Sequence, residues 1–328
     1  GTHRARSFLF AALGMATAVA FGRNRVSFYE NGVVSLNLPP VGNVQGTRAT
    51  RTTHPQTLER FQSLFSKIFD RSLRVDNPFF WRTKTEVVQT IARLGMADQI
   101  AFTRSCADVH NQTRQYAHCG RCSQCIDRRF AVLAAGLQAF DPEEAYRIDL
   151  MTGPRDRVQD KEVALSYVRS AFGYEIMNGD DLVTRYPGLL NAVSSLGEPP
   201  ETALKRISTL LQRHGRSVAN VMRNQLSEHR QEPLPETSLP GLYGALQREA
   251  IIARKAPPAE PTKDETYDLL FDRRRKLLMI NGSIPITGAT YSLLDCLAEE
   301  TLKGAGRGLA PLDYPMLEAT KLASRLSL

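Results

Sequence analysis

Four cysteines are the residues of this chain whose type and spacing most clearly predict chemistry. Cys119, Cys122 and Cys125 are separated by two residues each, and Gly120 can adopt the backbone angles that a tight knuckle needs. Cys106 lies upstream, beyond a polar segment without apolar periodicity that is typical of a loop. Four thiolates around one divalent ion form a closed tetrahedral site with no position for a substrate water. The sequence therefore predicts a structural zinc site held by these four cysteines.

Two other cysteine chemistries are compatible with part of this pattern. A disulfide framework is disfavoured, because two-residue gaps favour a shared metal. An iron–sulfur cluster is the stronger rival, but ferredoxin-like runs add a fourth cysteine followed by proline, where this chain has Ile126-Asp127-Arg128. The fifth cysteine, Cys296, lies in an apolar helical pattern and is predicted to be a small buried hydrophobic residue.

The spacing around the cysteines carries a family resemblance. The relevant residues are Ser105-Cys106, Cys119-Gly120-x-Cys122-x2-Cys125-x2-Arg128 with Ala131 beyond, and upstream Thr83-Lys84-x-Glu86. Together they resemble the 7-cyano-7-deazaguanine synthase (QueC) family, over roughly the first 140 residues. The loop before Pro55 and the pair Arg6-Ser7 depart from the usual family pattern. In these departures the chain resembles the divergent QueC-like proteins of anti-phage defence cassettes.

The resemblance implies a fold and an activity. The fold would be an α/β, adenine-nucleotide-hydrolase-like (PP-loop) domain with a parallel sheet, and the cofactors would be structural Zn²⁺ with ATP and Mg²⁺ as substrates. The enzyme would adenylate the carboxylate of a 7-carboxy-7-deazaguanine, form the amide with ammonia, and adenylate again to give the nitrile. Members open with a Ser-Gly-Gly-x-Asp-Ser loop that cradles ATP, and no such loop occurs in these 328 residues. We therefore interpret the chain as a fragment that lacks the N-terminal ATP loop, so that the synthase domain is incomplete.

The first elements must position whatever ligand the domain takes. Residues 7–21 are apolar after a basic start, but the run is short for a membrane span and lacks a convincing signal cleavage pattern. It predicts a buried helix that leads into a buried strand at residues 26–28, as in the core of an α/β sheet.

Two polar segments near this strand supply candidate binding residues. Asn31 opens an Asn-Gly turn at the carboxyl end of the strand, where open α/β sheets place ligands, and Glu30 precedes it. Arg51, Thr53 and His54 lie on a loop before a predicted helix at 56–69 and offer donors to phosphate or carboxylate. From their loop position and charge, the arginine and histidine are candidates for binding ATP phosphate or the substrate carboxylate, and Glu30 could meet the purine. The structural alternative is that Thr53 caps the helix and His54 packs beside it.

Lys84 is the third candidate binding residue. Thr83 or Thr85 is a natural helix N-cap and Glu86 favours a first turn, so capping explains most of this motif. A lysine in the first turn opposes the helix dipole, which predicts that Lys84 meets an anion such as a phosphate or carboxylate. The helix is predicted to end at Gly95, and a further apolar helix is predicted at residues 128–140.

Changes in composition along the sequence predict four regions. Residues 1–146 form the synthase-like domain, and residues 147–230 form a helical region with helices at 161–172, 180–193, 201–214 and 217–226, interrupted at Gly215. Residues 231–264 are a Pro-rich linker region with a short helix. Residues 265–328 read as short strands with a hairpin at Asn281-Gly282, a helix capped by Thr287 and another from Pro315, which resembles a truncated winged-helix domain.

Composition limits the function classes. With 42% hydrophobic residues the chain is globular, and a formal charge of +8 suits partners that are anionic.

Besides the ligase, two alternative functions are kept. One is a non-catalytic zinc-containing binding module of a defence or regulatory complex, and the other is a zinc-ribbon nucleic-acid binder that would use Arg121, Arg128 and Arg129. Nucleic acid could also bind through residues 265–328. We expect ATP, a deazapurine and defence-cassette proteins as partners, a homo-oligomer, no membrane, and a cytoplasmic location.

Overall fold

The protein divides into two compact units, Gly1–Ile252 and Ala253–Leu328. The computed structural model describes residues 2–38, 52–107, 116–228, 234–245, 269–274, 276–280 and 284–286, with separate positions between 291 and 303. Among these residues no helix is long and apolar enough to cross a membrane.

The N-terminal layer of the first unit is a small α/β arrangement. Helix α1 (Thr2–Ala20) leads to strand β1 (Arg25–Ser27), and helix α3 (Pro55–Ile68) leads to strand β2 (Arg74–Asp76). The two strands pair in parallel, with Val26 opposite Val75. Their core contains apolar residues of both helices, of β2 and of the position before β2, namely Ala11, Met15, Leu58, Phe65, Leu73 and Val75. The predicted helix, strand and parallel pairing are therefore present, in a sheet of two strands within the described residues.

The prediction that this first helix and strand are buried is only half right. Ala11 and Met15 are fully buried, but Phe8, Phe10 and Leu13 expose 44%, 57% and 58% of their surface. Strand β1 is likewise exposed or half-buried at each of its residues. An apolar stretch alone could not distinguish a helix buried on one side from one buried all round.

The predicted Asn-Gly turn is instead the start of a short helix, α2 (Gly32–Leu36). The side chain of Asn31 accepts a hydrogen bond from Val34 N at 3.1 Å, the N-cap arrangement that asparagine favours. Glycine is required after it, because a Cβ at Gly32 would lie 1.7 Å from the carbonyl oxygen of Phe80.

Helices α4 (Lys84–Arg93) and α5 (Ser123–Ala134) flank the cysteines, with a 3-10 segment at Ala97–Phe102. Thr83 and Glu86 form the predicted capping box at the start of α4. The predicted helix at 128–140 is wrong at both ends, because α5 begins directly after Cys122 and ends before Gly136, which has a left-handed φ of +71°. Further 3-10 turns follow at Gln138–Phe140 and Glu143–Ala145.

The described residues from 158 to 228 are mainly helical. They contain α6 (Val158–Ile176), α7 (Gly179–Arg185), a 3-10 turn (Pro187–Leu189), α8 (Leu190–Ser194) and α9 (Pro200–Glu228). The helix predicted at 180–193 is divided, since Pro187 cannot continue α7. These helices share a core with α5, in which Ile126 and Phe130 meet Val168 and Met222.

Gly215 does not interrupt the helical region, as the sequence had suggested, because α9 runs through it without a break. A Cβ at Gly215 would lie 2.4 Å from the carbonyl oxygen of Ala171 and 2.7 Å from the backbone nitrogen of Glu175. Both atoms belong to α6. The glycine therefore allows the two longest helices of this part of the chain to approach at the backbone.

Within its described residues, the second unit contains three strands, β3 (Leu269–Asp272), β4 (Leu277–Ile280) and β5 (Ile284–Ile286), in an antiparallel sheet of order β3-β4-β5. The predicted short strands are thus confirmed. Arg273 forms ion pairs with Asp295 at 3.0 Å and Glu299 at 3.2 Å. The winged-helix resemblance stays a prediction. Asn281-Gly282, Thr287, Cys296 and the helix from Pro315 lie outside the described residues.

Substitution of Gly215 by alanine tests the close approach of α6 and α9. We expect Gly215→Ala to lower the free energy of unfolding by about 1–3 kcal/mol, because rigid backbone atoms must move. The matched control is Gly173→Ala in α6, whose Cβ would meet only the flexible end of Met177 at 3.1 Å. That control should be neutral or gain up to about 1 kcal/mol from helix propensity. Equal effects in urea unfolding would contradict the close approach.

Candidate functional site

The knuckle begins at Cys119, whose sulfur accepts hydrogen bonds from the backbone nitrogens of Arg121 and Cys122, each at 3.4 Å. Gly120 has the left-handed φ of +71° that this turn needs, as predicted. There is also no space for a side chain at this position, because a Cβ would lie 1.7 Å from the carbonyl oxygen of Ile148. The turn aims Cys119 at the first turn of α5, which carries Cys125.

The four predicted ligands converge. The sulfurs of Cys106, Cys119, Cys122 and Cys125 all lie within 4.8 Å of one another, and those of Cys119 and Cys125 are 3.9 Å apart. Tetrahedral coordination with Zn–S bonds of about 2.3 Å requires sulfurs about 3.8 Å apart. Hydrogen bonds from Cys119 and Cys125 lower the pKa of the Cys122 thiol to about 3, whereas hydrogen bonds with Cys119 and Cys122 raise the pKa of the Cys125 thiol. The donor set fits a metal such as zinc, which these four sulfurs would hold in a closed, structural site.

Buried arginines fix the protein around this cluster. Arg155 is fully buried and donates to the carbonyl oxygens of Gly120 at 3.2 Å and Leu150 at 3.4 Å. Arg128 donates to Asp141 Oδ1 at 2.9 Å and to the carbonyl oxygen of Ile100 at 2.7 Å. The second contact ties α5 to the segment that delivers Cys106. These bonds replace the water that guanidinium groups lose on burial.

The arginines of the predicted nucleic-acid surface are not exposed. Arg128 and Arg129 retain 5% and 3% of their side-chain surface and pair with Asp141. The side chain of Arg121 is 11% exposed and lies 3.7 Å from Asp160. A zinc-ribbon surface would need exposed cations for phosphate, so the structure does not support nucleic-acid binding by these three residues.

Lys84 meets an anion, as its position predicted, but the anion belongs to the protein. Its Nζ donates to Asp127 Oδ2 at 2.9 Å, and the hydroxyl of Tyr167 donates to Asp127 Oδ1 at 2.7 Å. Burial raises the pKa of this carboxyl, but the charge of Lys84 and the hydrogen bonds outweigh it and hold the pKa below its ordinary value. His214 lies beside the pair with its ring edge-on to Tyr167, and burial lowers its pKa.

The other candidates form a second polar group at the carboxyl ends of β1 and β2. Thr53 donates to the carboxylate of Glu30 and lies 3.0 Å from the hydroxyl of Ser35, and Asn77 Nδ2 donates to the backbone oxygen of Glu30 at 2.7 Å. The structural alternative for Thr53 is wrong, because His54 is the N-cap of α3 and its Nδ1 accepts from Gln56 N at 3.3 Å.

The structure therefore groups the predicted binding residues in two places. In the first place Thr53 donates a hydrogen bond to Glu30, and Asn31 and His54 are their sequence neighbours. In the second place Lys84 forms an ion pair with Asp127. Arg51 lies outside the described residues.

Sequence reasoning missed Asp127, Tyr167, His214 and Arg155. Asp127 did carry a signal, because a lone carboxylate in the apolar helix after the knuckle requires a partner. The other three lie in helical or loop segments where nothing in the local pattern distinguishes a buried polar residue from an exposed one. Only the packing of α6 and α9 on α5 brings Tyr167 and His214 to Asp127.

Comparison with known proteins finds a family match over the segment that contains the four cysteines. Residues 50–136 match the family described as queuosine biosynthesis protein QueC. The 7-cyano-7-deazaguanine synthase of Methanocaldococcus jannaschii is 27% identical over 93 residues, which cover 26% of this chain and 39% of that protein. The chain thus spans well under half the length of this relative. No solved structure gives a significant match.

Metal analysis tests the four-cysteine site. We expect about one zinc ion per chain and none of the visible absorption of an iron–sulfur cluster. Cys119→Ser should lose most of its zinc and unfold at lower denaturant, because metal binding and folding are coupled. Cys296→Ser, the fifth cysteine, is the control and should retain zinc. Bound iron in place of zinc, or full zinc in Cys119→Ser, would refute the assignment.

The burial of His214 predicts a pH dependence of stability. Because its folded pKa is lowered, the unfolded chain binds a proton below about pH 6.5 that the folded chain does not. Stability conferred by neutral His214 is therefore present above that pH and lost as the pH falls, at up to about 1.4 kcal/mol per unit. Asp127 opposes this shift and Lys84 supports it.

His214→Gln supplies the comparison. The variant should show a shallower loss of unfolding free energy between pH 7 and 5, and the difference from the parent isolates this residue from other groups. Parallel pH profiles in urea titrations would show that His214 protonates equally in both states.

Proposed function

On the premise that residues 50–136 are QueC-like, we propose that this chain belongs to an ATP-dependent ligase that acts on the carboxylate of a 7-deazaguanine. The observation that carries the proposal is the convergence of four cysteines inside the matched segment, in a spacing that resembles that of the family. The coarser assignment, a deazaguanine-synthase type of activity, follows the similarity to the archaeal synthase.

The proposed reaction joins two adenylation steps. The carboxylate attacks the α-phosphorus of ATP and releases pyrophosphate, and ammonia then displaces AMP to form the amide. A second ATP adenylates the amide oxygen, and loss of AMP and protons gives the nitrile. Each step converts a poor leaving group, hydroxide or oxide, into AMP. The reaction would serve queuosine or another deazapurine pathway, including a variant in an anti-phage defence cassette.

The chain's own residues would bind and position the reactants. Zinc, when bound by the four cysteines, would supply structural rigidity and no reactive position. Asn31, Thr53 and His54 lie where parallel strands end, the edge at which open α/β sheets bind ligands, and we assign them with Arg51 to the carboxylate or phosphates. Glu30 lies at the same edge and accepts a hydrogen bond from the hydroxyl of Thr53. Lys84 is one-fifth exposed and keeps donors beyond the one given to Asp127, which supports a second contact with an anionic ligand.

The assay uses the natural protein that contains this chain, with 7-carboxy-7-deazaguanine, ATP, Mg²⁺ and ammonium. We expect AMP and pyrophosphate to form only when the carboxylate is present, and the amide or nitrile to be detected by mass spectrometry. Lys84→Met should lower kcat/KM by about tenfold or more, the loss of one charge-assisted contact. Lys67→Met, an exposed lysine at the end of α3, is the matched control.

Zinc content and unfolding midpoint must be compared in each variant, because Lys84→Met also removes the partner of a buried carboxylate. A normally folded Lys84→Met protein with unchanged kcat/KM would remove Lys84 from the binding residues. Absence of carboxylate-dependent AMP release would overturn the ligase proposal in favour of a zinc-containing binding module.

A further inference from the structure

A cavity of about 140 Å³ lies between α2, α5, α6 and α9. Only its α5 wall belongs to the segment that matches the QueC family, since residues 33–38, α6 and α9 fall outside residues 50–136. Cavities of about this size accept a small aromatic ring when their walls are apolar. The lining of this cavity includes both polar and apolar side chains, and this combination limits the ligands that it can bind.

One wall is polar and rigid. The carboxylate of Asp127 faces the cavity, and its two oxygens are held by Lys84 and Tyr167 at 2.9 and 2.7 Å. Tyr167 is itself fixed by stacking on Phe130, with ring centroids 5.5 Å apart. Each carboxylate oxygen has a further lone pair, so the group can accept two parallel N–H donors from a ligand. His214 adds a neutral imidazole to the same wall, because burial lowers its pKa.

Much of the remaining lining is apolar. Val33, Val34 and Leu38 come from α2 and the residue pair after it, and Leu211 comes from α9, with the polar residues Asn37 and Ser170 beside them. A flat ring would lose water against these apolar side chains while its edge met the carboxylate. The cavity therefore suits a planar, uncharged heterocycle with two adjacent N–H donors on one edge, and disfavours a ring with an acceptor at that edge.

We propose that this cavity binds the guanine-type base of the substrate, with Asp127 accepting from the ring N–H and the exocyclic amine. The assignment rests on the proposed function and adds to it the helical region, which supplies Tyr167, His214 and Leu211 as walls of the base-binding site. In this view Asp127 of α5 determines base specificity, α6 and α9 complete the walls around the base, and the strand-end residues bind the carboxylate and phosphates.

Calorimetric titration of the zinc-loaded chain with 7-deazaguanine and 7-carboxy-7-deazaguanine tests the site. 7-Deazahypoxanthine lacks the exocyclic amine and should bind about tenfold more weakly or worse, and 7-deazaadenine, which presents an acceptor to the carboxylate, should bind more weakly still. Asp127→Asn should weaken 7-deazaguanine by about tenfold or more and reduce its advantage over 7-deazahypoxanthine. Equal affinity for the three deazapurine bases would overturn the assignment.

A second variant guards against misfolding of Asp127→Asn, which leaves Lys84 without its charged partner. Val34→Phe fills the apolar side of the cavity and leaves the ion pair intact, so it should abolish base binding while zinc content and unfolding midpoint are kept. Val158→Phe, at a position 70% exposed at the start of α6, is the control and should bind as the parent does. Parental affinity in a folded Val34→Phe protein would place the base elsewhere.

The two proposals fail separately. If the parent binds the base, Val34→Phe abolishes that binding, and no carboxylate-dependent AMP release is found, the cavity assignment would stand and the ligase proposal would fall. Carboxylate-dependent AMP release with an unchanged KM in Val34→Phe and Asp127→Asn would keep the ligase and refute the cavity as its base site.

Discussion

The convergence of four thiolates is the constraint on which this structure depends. Four sulfurs within 4.8 Å cannot all carry charge without a cation between them, and they come from two segments with a long polar insertion between. A metal bound by them would therefore join the segment after the 3-10 turn to the start of α5. The arginines that surround the cluster complete this connection, since Arg128 reaches back to Ile100 and Arg155 holds the carbonyl oxygen of Gly120.

The four-cysteine cluster also constrains the orientation of α5, and through it the candidate binding site. Cys122 caps this helix and Cys125 lies in its first turn, so Asp127 follows at a set rotation from the cluster. At that rotation the carboxylate points away from the arginine side of the helix and meets Lys84 and Tyr167. A closed metal site that takes no part in chemistry would thus still determine where the carboxylate proposed to bind the base lies.

Features that depend on local sequence were predictable, and those that depend on packing were not. The cysteine knuckle, the left-handed Gly120 and the capping box of α4 each arise from a few adjacent residues, so the sequence was sufficient. The role of Gly215 was misread, because a glycine that interrupts a helix and one that admits a neighbouring helix have the same local sequence. Lys84 lies between these cases: its position predicted an anion, but only the fold identified Asp127 as that anion.

The position of Asp127 is itself an argument for a ligand. Residues 125–132 of α5 are all buried, and three of them are charged. Arg128 and Arg129 face Asp141 and secure the loops around the cysteines, which gives both a structural reason. Asp127 lies on the opposite side, where a buried ion pair contributes about as much stability as an apolar pair of similar volume, or less. Stability alone therefore gives no advantage to Lys84 and Asp127 over two hydrophobic residues. A carboxylate fixed by two donors and facing a cavity has an evident use when a ligand brings the remaining donors, and this difference favours binding over packing as the reason for the pair.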